Sequence, residues 1–373
     1  MLGALLFVLS VTTRLEVIET APQGSALDVP ELRSALEVLP ELFAEAESSI
    51  DVAQMYMLYY PPESRGRQMY ALYDGLIAAA RRGVKVRVLL DSTTLEGSST
   101  ETYQRMGHTL AAVPGVEVRA CDLRPMSAYD GCIMHAKYCI IDRAVAVVGS
   151  HNWSFAAFTD NREISLVVRD TGFCRGLGAV FATDWCAGRG EKLPTSPGGP
   201  GNLVVTSPAR LKPAGPRSTI EALGDVIGHA GSAVDVEVNS ISDKVLFGGG
   251  ERFAGVESLL FSAAGRGVRV RLLVDKWAEE QDSTLLVRLD SAPGIEVRVI
   301  DLSALGPNPG TGSCHAKLVI ADGRRALVGS ATLSQRQVLE CRNVGVLVEE
   351  PRTVGLLGRV FETDWQSEFC RRP

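Results

Sequence analysis

Several features that settle a function quickly are missing from this chain. None of its eight cysteines forms a CxxC pair, so zinc-ribbon and thioredoxin-type readings find no support. Positive charge is not in excess: the formal net charge is −6, and no global field draws in long nucleic acid or an anionic membrane. A polyanionic substrate would have to be held by a local pocket, which argues against a stable nucleic-acid coat protein. No apolar run is long enough to span a bilayer as a helix. The Gly248-Gly249-Gly250 run lacks the Lys-Ser/Thr of a phosphate loop and reads as a plain loop. Histidine is scarce, with five in 373 residues, and that makes the position of each one informative.

The length suits two domains of ordinary size, and the composition is that of a globular protein. The short apolar run at residues 2–11 has the length of a signal-peptide core, but no basic residue precedes it and no clear small-x-small site follows. It reads as the remnant of an export signal or anchor over 1–15, with a buried first strand as the alternative. The expected compartment is therefore an exported one (secreted, periplasmic or endolysosome-like), the cytoplasm being the alternative. In an exported protein, disulfides among Cys174, Cys186 and Cys370 would be allowed, whereas Cys132 and Cys139 read as core residues.

An internal repeat organises the rest. Met134-His135-Ala136-Lys137 leads to Asp142 and then Gly149-Ser150, and Cys314-His315-Ala316-Lys317 leads to Asp322 and then Gly329-Ser330, at one constant offset. The same offset relates Thr183-Asp184-Trp185 to Thr363-Asp364-Trp365. Upstream, Arg82-Gly83-Val84 and Pro114-Gly115-Val116 recur as Arg266-Gly267-Val268 and Pro293-Gly294-Ile295. The chain divides into a first repeat over 16–187, a Gly/Pro-rich linker over 188–203 and a second repeat over 204–373. In the first repeat, hydrophobic periodicity predicts strands at 49–57, 84–90, 116–122, 135–142, 144–149 and 163–169, with helices at 67–82, 101–113 and 171–185. The fold class is α/β, a sheet with helices on both faces of each copy.

On a strand, residues i and i+2 face one side, so His135 and Lys137 present an imidazole beside an ammonium, as do His315 and Lys317. If the copies pack about a pseudo-two-fold axis, both pairs share one pocket. One imidazole can then attack phosphorus while the other protonates the leaving oxygen, and the lysines supply charge to the phosphoryl oxygens. This chemistry requires no metal and no cofactor. Ser150, Asn152, Ser330 and Thr332 are candidates to donate to substrate phosphate. Glu163 can fix the tautomer of an imidazole. Asp142 and Asp322 complete the repeated motif, and they fit the turn between two strands better than contact with substrate. His108 and His229 read as surface or satisfied residues, His151 as either a lining or a core residue, and Trp185 and Trp365 as packing anchors.

The repeated HxKxxxxD followed by Gly-Ser resembles the signature of the phospholipase D superfamily, over nearly the whole chain. That resemblance implies a duplicated phospholipase D-like fold, two sheet-and-helix halves in a pseudo-two-fold sandwich, and catalysis through a phosphohistidine. Val17-Ile18-Glu19-Thr20-Ala21-Pro22-Gln23-Gly24, the Ser48-Ser49-Ile50-Asp51-Val52-Ala53 strand and the Asp-Trp repeat ends look most like its endolysosomal branch, regarded as 5′ exonucleases on single-stranded DNA and RNA. By the resemblance His135 would be the nucleophile and His315 the general acid, and symmetry leaves the reverse open. The sequence departs from the pattern at Thr332, where an Asn is expected, and at Asn343, which stands where the first copy has Glu163. The expected substrate is single-stranded DNA or RNA, with Tyr56, Tyr59 and Tyr60 as candidate stacking residues. The alternatives are a phospholipase or phosphatidyl transferase, with Met55, Met57 and Leu58 beside an acyl groove, and a non-catalytic phosphate-binding module.

Overall fold

The first half runs β1 (Arg14–Thr20), β2 (Arg33–Ser34), α1 (Ala35–Glu45), β3 (Ser49–Gln54), α2 (Tyr70–Arg81), β4 (Lys85–Asp91), α3 (Ser92–Leu95), α4 (Glu101–Ala111), β5 (Val116–Cys121), β6 (Tyr138–Ile141), β7 (Val145–Gly149), α5 (Phe155–Thr159), β8 (Glu163–Arg169) and α6 (Thr171–Ala187). The second half runs β9 (Val204–Ser207), β10 (Arg217–Ser218), α7 (Thr219–Gly228), β11 (Ala233–Val238), α8 (Val256–Gly265), β12 (Arg269–Asp275), α9 (Lys276–Asp290), β13 (Ile295–Ile300), β14 (Lys317–Ala321), β15 (Arg325–Gly329), β16 (Asn343–Val348), α10 (Pro351–Trp365) and β17 (Cys370–Arg371). This computed structural model describes residues 14–61, 63–95, 101–127, 132–194, 203–244 and 255–373. The apolar run at 2–11, the Gly248-Gly249-Gly250 run and the connector from 195 to 202 lie outside the described residues.

Each half is one mixed sheet, ordered β2-β1-β8-β7-β6-β3-β4-β5 and β10-β9-β16-β15-β14-β11-β12-β13-β17. Strands β3, β4 and β5 pair in parallel through helical crossovers, while β6, β7 and β8 form an antiparallel meander. Local sequence explains where the helices begin. Ser34 caps α1 by accepting from Leu36 N, Ser218 and Glu221 form a reciprocal capping box on α7, and Asp170 accepts from Phe173 N at the start of α6.

Alternation along the meander decides which face goes where. In the first half, Cys139, Ile141, Val147 and Val167 pack beneath α1 and α2, together with Val38, Leu42, Leu72 and Leu76. Their neighbours Tyr138, Ile140, Val148, Leu166 and Val168 point the other way. There they share one core with Leu318, Ile320, Val328, Val344 and Val346 of the second half. Helices α6 and α10 are buried in the same shared core through Phe173, Leu177 and Phe181 and through Val354, Leu357 and Phe361. Trp185 and Trp365 stack on Phe181 and Phe361, with ring centroids 5.4 and 5.6 Å apart, and act as the packing anchors the sequence suggested. Each sheet thus has helices on its outer face, and its inner face is covered by the other sheet and by α6 and α10.

The expected strand over 135–142 starts only at Tyr138. His135 leaves its own sheet and donates its backbone N–H to Arg342 O at 2.8 Å, and His315 donates to Arg162 O at 2.9 Å. The expected helix at 67–82 splits into a 3₁₀ turn, Arg65–Met69, and α2. Both arginines at the crossing points are fully buried. Arg162 bonds Glu19 through Nη1 at 2.5 Å and Asp364 of α10 through Nε at 2.6 Å. Arg342 bonds Asp184 of α6 through Nε at 2.9 Å, and its other donors go to Thr206 Oγ1 and to the carbonyls of Ser207 and Leu211. Each guanidinium is therefore neutralised by an aspartate of the other half.

Removing one partner of a buried pair strands the other charge. Asp184→Ala is expected to lose about 3 kcal/mol of stability to chemical denaturation, because Arg342 keeps its desolvation cost without its counter-ion. An unchanged denaturation midpoint would show that the two halves do not depend on this pair.

Candidate active site

Both imidazoles are gathered at the seam between the two sheets, together with both lysines, Glu163 and Asn343. His135 is 8% exposed and its Nδ1 lies 3.0 Å from Asn343 Oδ1. The His315 side chain is 16% exposed and its Nδ1 lies 2.9 Å from Glu163. Each Nδ1–H donates to an acceptor carried by the other repeat, which leaves each Nε2 as the free, potentially reactive nitrogen. The tautomers follow from these partners. The amide of Asn343 is itself oriented: its Nδ2 donates to Gln337 O and Oε1 at 2.8 and 2.9 Å, and its Oδ1 also accepts from Ser330 Oγ at 2.8 Å.

Burial pushes His135 well below the ordinary imidazole range, and the neighbouring charges of Lys137 and Lys317 press the same way. Burial also lowers His315, but the Glu163 carboxylate works against it, so the shift is smaller. Glu163 is fully buried. Burial alone would raise it, yet the charge of His315 and the hydrogen bond to it, joined by His151 and Lys317, hold it at about 2. Lys317 is brought down to about 8 by burial, and Lys137 lies well below its usual value for the same reason. Each lysine donates to the carbonyl of the histidine two residues before it. A bound phosphodiester would repay part of the desolvation of these ammonium groups and favour their charged forms.

Other residues singled out in the sequence have different placements. Asp142 and Asp322, which complete the repeated motif, bond to turn backbone and not to the imidazoles. Asp142 has φ 52° in the turn between β6 and β7, and its carboxylate accepts from the backbone of Glu47, Ser48 and Ser49 at 2.7–2.9 Å. Asp322 has φ 55° and does the same for Gly231, Ser232 and Ala233. A short acid tolerates the left-handed turn and ties the end of the adjoining strand.

Ser150 is committed too. Its Oγ donates to Ile164 O at 3.1 Å and accepts from Ile164 N at 3.0 Å, stapling β7 to β8 and leaving no donor for phosphate. Ser330 accepts from Val344 N and spends its proton on Asn343. Asn152 is buried with Oδ1 unpaired, and Thr332 is 8% exposed in the loop after β15. The glycines before the serines are sterically required: a Cβ on Gly149 would sit 2.1 Å from Ser165 Oγ, and one on Gly329 2.7 Å from Val344 O.

His151 is a core residue. Nε2 pairs with Thr20 Oγ1 at 3.1 Å, Nδ1 with Ser165 Oγ at 2.7 Å, and burial takes it to about 4. His229 is paired with Asp225 and exposed. All eight cysteines are free thiols, including Cys174, Cys186 and Cys370. The sequence reading passed over Arg162, Arg342 and the carboxylates of Asp91 and Asp275. Asp91 Oδ2 accepts from Met134 N at 2.6 Å, and Asp275 Oδ2 from Cys314 N at 2.7 Å, so each holds the approach to a histidine. Their signal was available, since all four stand at matched positions of the two copies.

Two imidazoles with Nε2 free, beside two buried lysines, have the chemistry that attack on a phosphate ester would require, and the chain is an enzyme of the phosphodiesterase class. The family model described as cardiolipin synthase, PLD-like domain, matches it twice, over residues 39–185 and 224–365, and the chain belongs to the phospholipase D superfamily. It is 23% identical to a probable phospholipase D of Caenorhabditis elegans, over 97% of this chain and 71% of that protein. It is 24% identical to the 5'-3' exonuclease PLD3 of Homo sapiens, over 95% of this chain and 79% of that protein. Among solved structures, the phosphatidylserine synthase of Haemophilus influenzae Rd KW20 shares the fold at a TM-score of 0.64 and 12% identity, over 96% of this chain and 87% of that one.

Neutralising Glu163 isolates its effect on His315. In Glu163→Gln the imidazole pKa of His315, followed by NMR, is expected to fall by roughly 1–2 units, as loss of an adjacent opposite charge demands. An unchanged value would show that the carboxylate does not set its basicity.

Proposed function

We propose that the chain is a metal-independent phosphodiesterase that works through a phosphohistidine and acts as an exonuclease on the 5′ ends of single-stranded DNA or RNA. The observation that carries the chemistry is the unequal pair of acceptors, a carboxylate on His315 and an amide on His135. His135, pushed down further, is neutral and nucleophilic. His315, supported by Glu163, is the proton donor. In the first step His135 Nε2 attacks phosphorus while His315 protonates the departing 5′ oxygen. In the second, water activated by His315 attacks the phosphohistidine and releases a nucleoside 3′-phosphate. Lys137 and Lys317 stabilise charge on the non-bridging oxygens in both steps.

For the substrate, the name of the human relative, a 5'-3' exonuclease, supports nucleic acid. So does the surface. Among the described residues the exposed large hydrophobics are Leu193, Trp277 and Val287, and Met57 is buried against Trp153, which leaves little for acyl chains to lie on. Two of the three candidate stacking tyrosines have partners within the fold. Tyr60 accepts from Phe155 N and packs on its ring, and Tyr59 lies under the Arg105 guanidinium at 4.2 Å. The competing reading, a phospholipase D, is supported by the name of the nematode relative.

The chemistry fixes the sign of the pH dependence. His315 must hold a proton in the first step, so kcat falls as pH rises through its pKa. His135 must be neutral, and burial already ensures that over most of the range. The optimum lies on the acidic side, which suits an acidic, endolysosome-like compartment, and Glu163→Gln moves the alkaline limb to lower pH.

The test is release of mononucleotides from a 5′-hydroxyl single-stranded oligonucleotide in excess EDTA. The native protein should yield 3′-phosphates, and His135→Ala should lose roughly 10³-fold or more of kcat. No release by the native protein, with turnover of phospholipid in the presence of an alcohol, would replace the nuclease reading by the lipid one.

A further inference from the structure

Beside His135, the seam holds two thiols that come from different halves. Cys132 precedes His135 by three positions and Cys341 precedes Asn343 by two. The parallel bridge between Met134 and Arg342 sets these segments side by side, with Arg342 N donating to Ile133 O at 3.0 Å. The Cys132 thiol points into this join, where its Sγ donates to the Glu340 carbonyl, the peptide oxygen next to Cys341, at 2.6 Å. The Cys341 side chain lies within interaction range of the Cys132 thiol and of the Ile133 amide. The two cysteines are thus neighbours across the boundary between the repeats, and both are buried, at 2% and 0% exposure. At the matched positions of the other seam stand Gly312 and Asn161, so only one seam carries the pair.

The two thiols are not alike. The neighbouring Cys132 thiol holds Cys341 below the ordinary thiol range, helped against burial by the Ile133 amide and the charge of Arg336. Cys132 is pushed up by its neighbour Cys341 and by burial. Cys139 and Cys174 also lie within each other's electrostatic reach, but burial takes both up to about 12, which leaves neither as a thiolate.

We propose that Cys132 and Cys341 are a redox-active dithiol, oxidised by a hydroperoxide to a disulfide that ties the two repeats together beside the catalytic pocket. The Cys341 thiolate attacks one peroxide oxygen, the O–O bond breaks and hydroxide leaves, giving a sulfenic acid on Cys341. Cys132 then attacks that sulfur, and its proton goes to the departing hydroxide, which leaves as water while the S–S bond forms. Two electrons pass from the thiols to the peroxide. Hydrogen peroxide is small, and the seam adjoins a pocket that must admit a phosphodiester. The bond joins the segment that carries His135 to the one that carries its acceptor, Asn343. It also closes a very long loop, which constrains the unfolded chain.

Native protein treated with hydrogen peroxide, alkylated and digested without reduction should give one cross-linked species, joining the peptides that contain Cys132 and Cys341. Its melting temperature should rise by about 5 °C and return on treatment with a phosphine reductant. Cys132→Ser keeps a hydroxyl for the Glu340 carbonyl and should show no rise. Free thiols at both positions after treatment, a cross-link through Cys139 or Cys174, or a rise that persists in Cys132→Ser would each overturn the proposal. Peptide mapping of the native protein decides the pairing whether or not the variant folds.

Discussion

Two guanidinium groups with no exposed surface hold the halves in register, and each is followed in sequence by the residue that orients the other half's imidazole. Arg162 crosses to Asp364 and is followed by Glu163, which meets His315; Arg342 crosses to Asp184 and is followed by Asn343, which meets His135. Buried ion pairs of this kind add little net stability over apolar packing, because desolvation offsets most of their attraction. Their value here is positional. They fix two carbonyls, of Arg162 and Arg342, to which the backbone N–H groups of His315 and His135 are pinned. The same two-residue step delivers both the pin and the acceptor, so a shift of one half relative to the other would disturb backbone and side chain together.

Duplication alone would build a symmetric site, and a symmetric pair of imidazoles has no reason to divide acid from nucleophile. The difference between Glu163 and Asn343 breaks that symmetry. A carboxylate favours the imidazolium it touches, whereas an amide oxygen fixes a tautomer without favouring charge. Asn343 is nonetheless held in place on both sides of its amide. Gln337, from the turn that replaces α5 in the second half, claims its amino group, so the carbonyl oxygen is presented to His135. The guanidinium seams are unequal as well. Arg162 faces two carboxylates, Glu19 and Asp364, while Arg342 meets one carboxylate and neutral oxygens.

Much of this was legible in the sequence, because strand alternation and repetition are local or self-referential signals. The strand at Glu163–Arg169 is placed at its true bounds, and the two His-x-Lys pairs are singled out by their recurrence. What escaped was what depends on pairing with a distant segment, in the other half or in the same one. The strand start at Tyr138 rather than at His135 reflects a hydrogen bond made across the seam, which periodicity cannot register. Ser150 looked like a phosphate ligand because a hydroxyl after a glycine is chemically suited to it; its commitment to Ile164 appears only when β7 and β8 are paired. Asn343 looked like a loss of charge, whereas it is the oriented acceptor for His135. Asp142 and Asp322 recur with the motif because both copies need the same turn, which shows that recurrence marks shared need of any kind and not chemistry alone.

The central claim is that His135 carries the covalent intermediate and His315 the proton, and trapping the intermediate tests it most directly. A p-nitrophenyl ester of thymidine 3′-phosphate has a leaving group that needs no proton, so His315→Ala can still undergo the first step but lacks the base for the second. A burst of one nitrophenolate per chain is predicted, with a thymidine 3′-phosphoryl adduct mapped to His135. No adduct, an adduct on another residue, or a burst that survives in the His135→Ala, His315→Ala double variant would contradict the account.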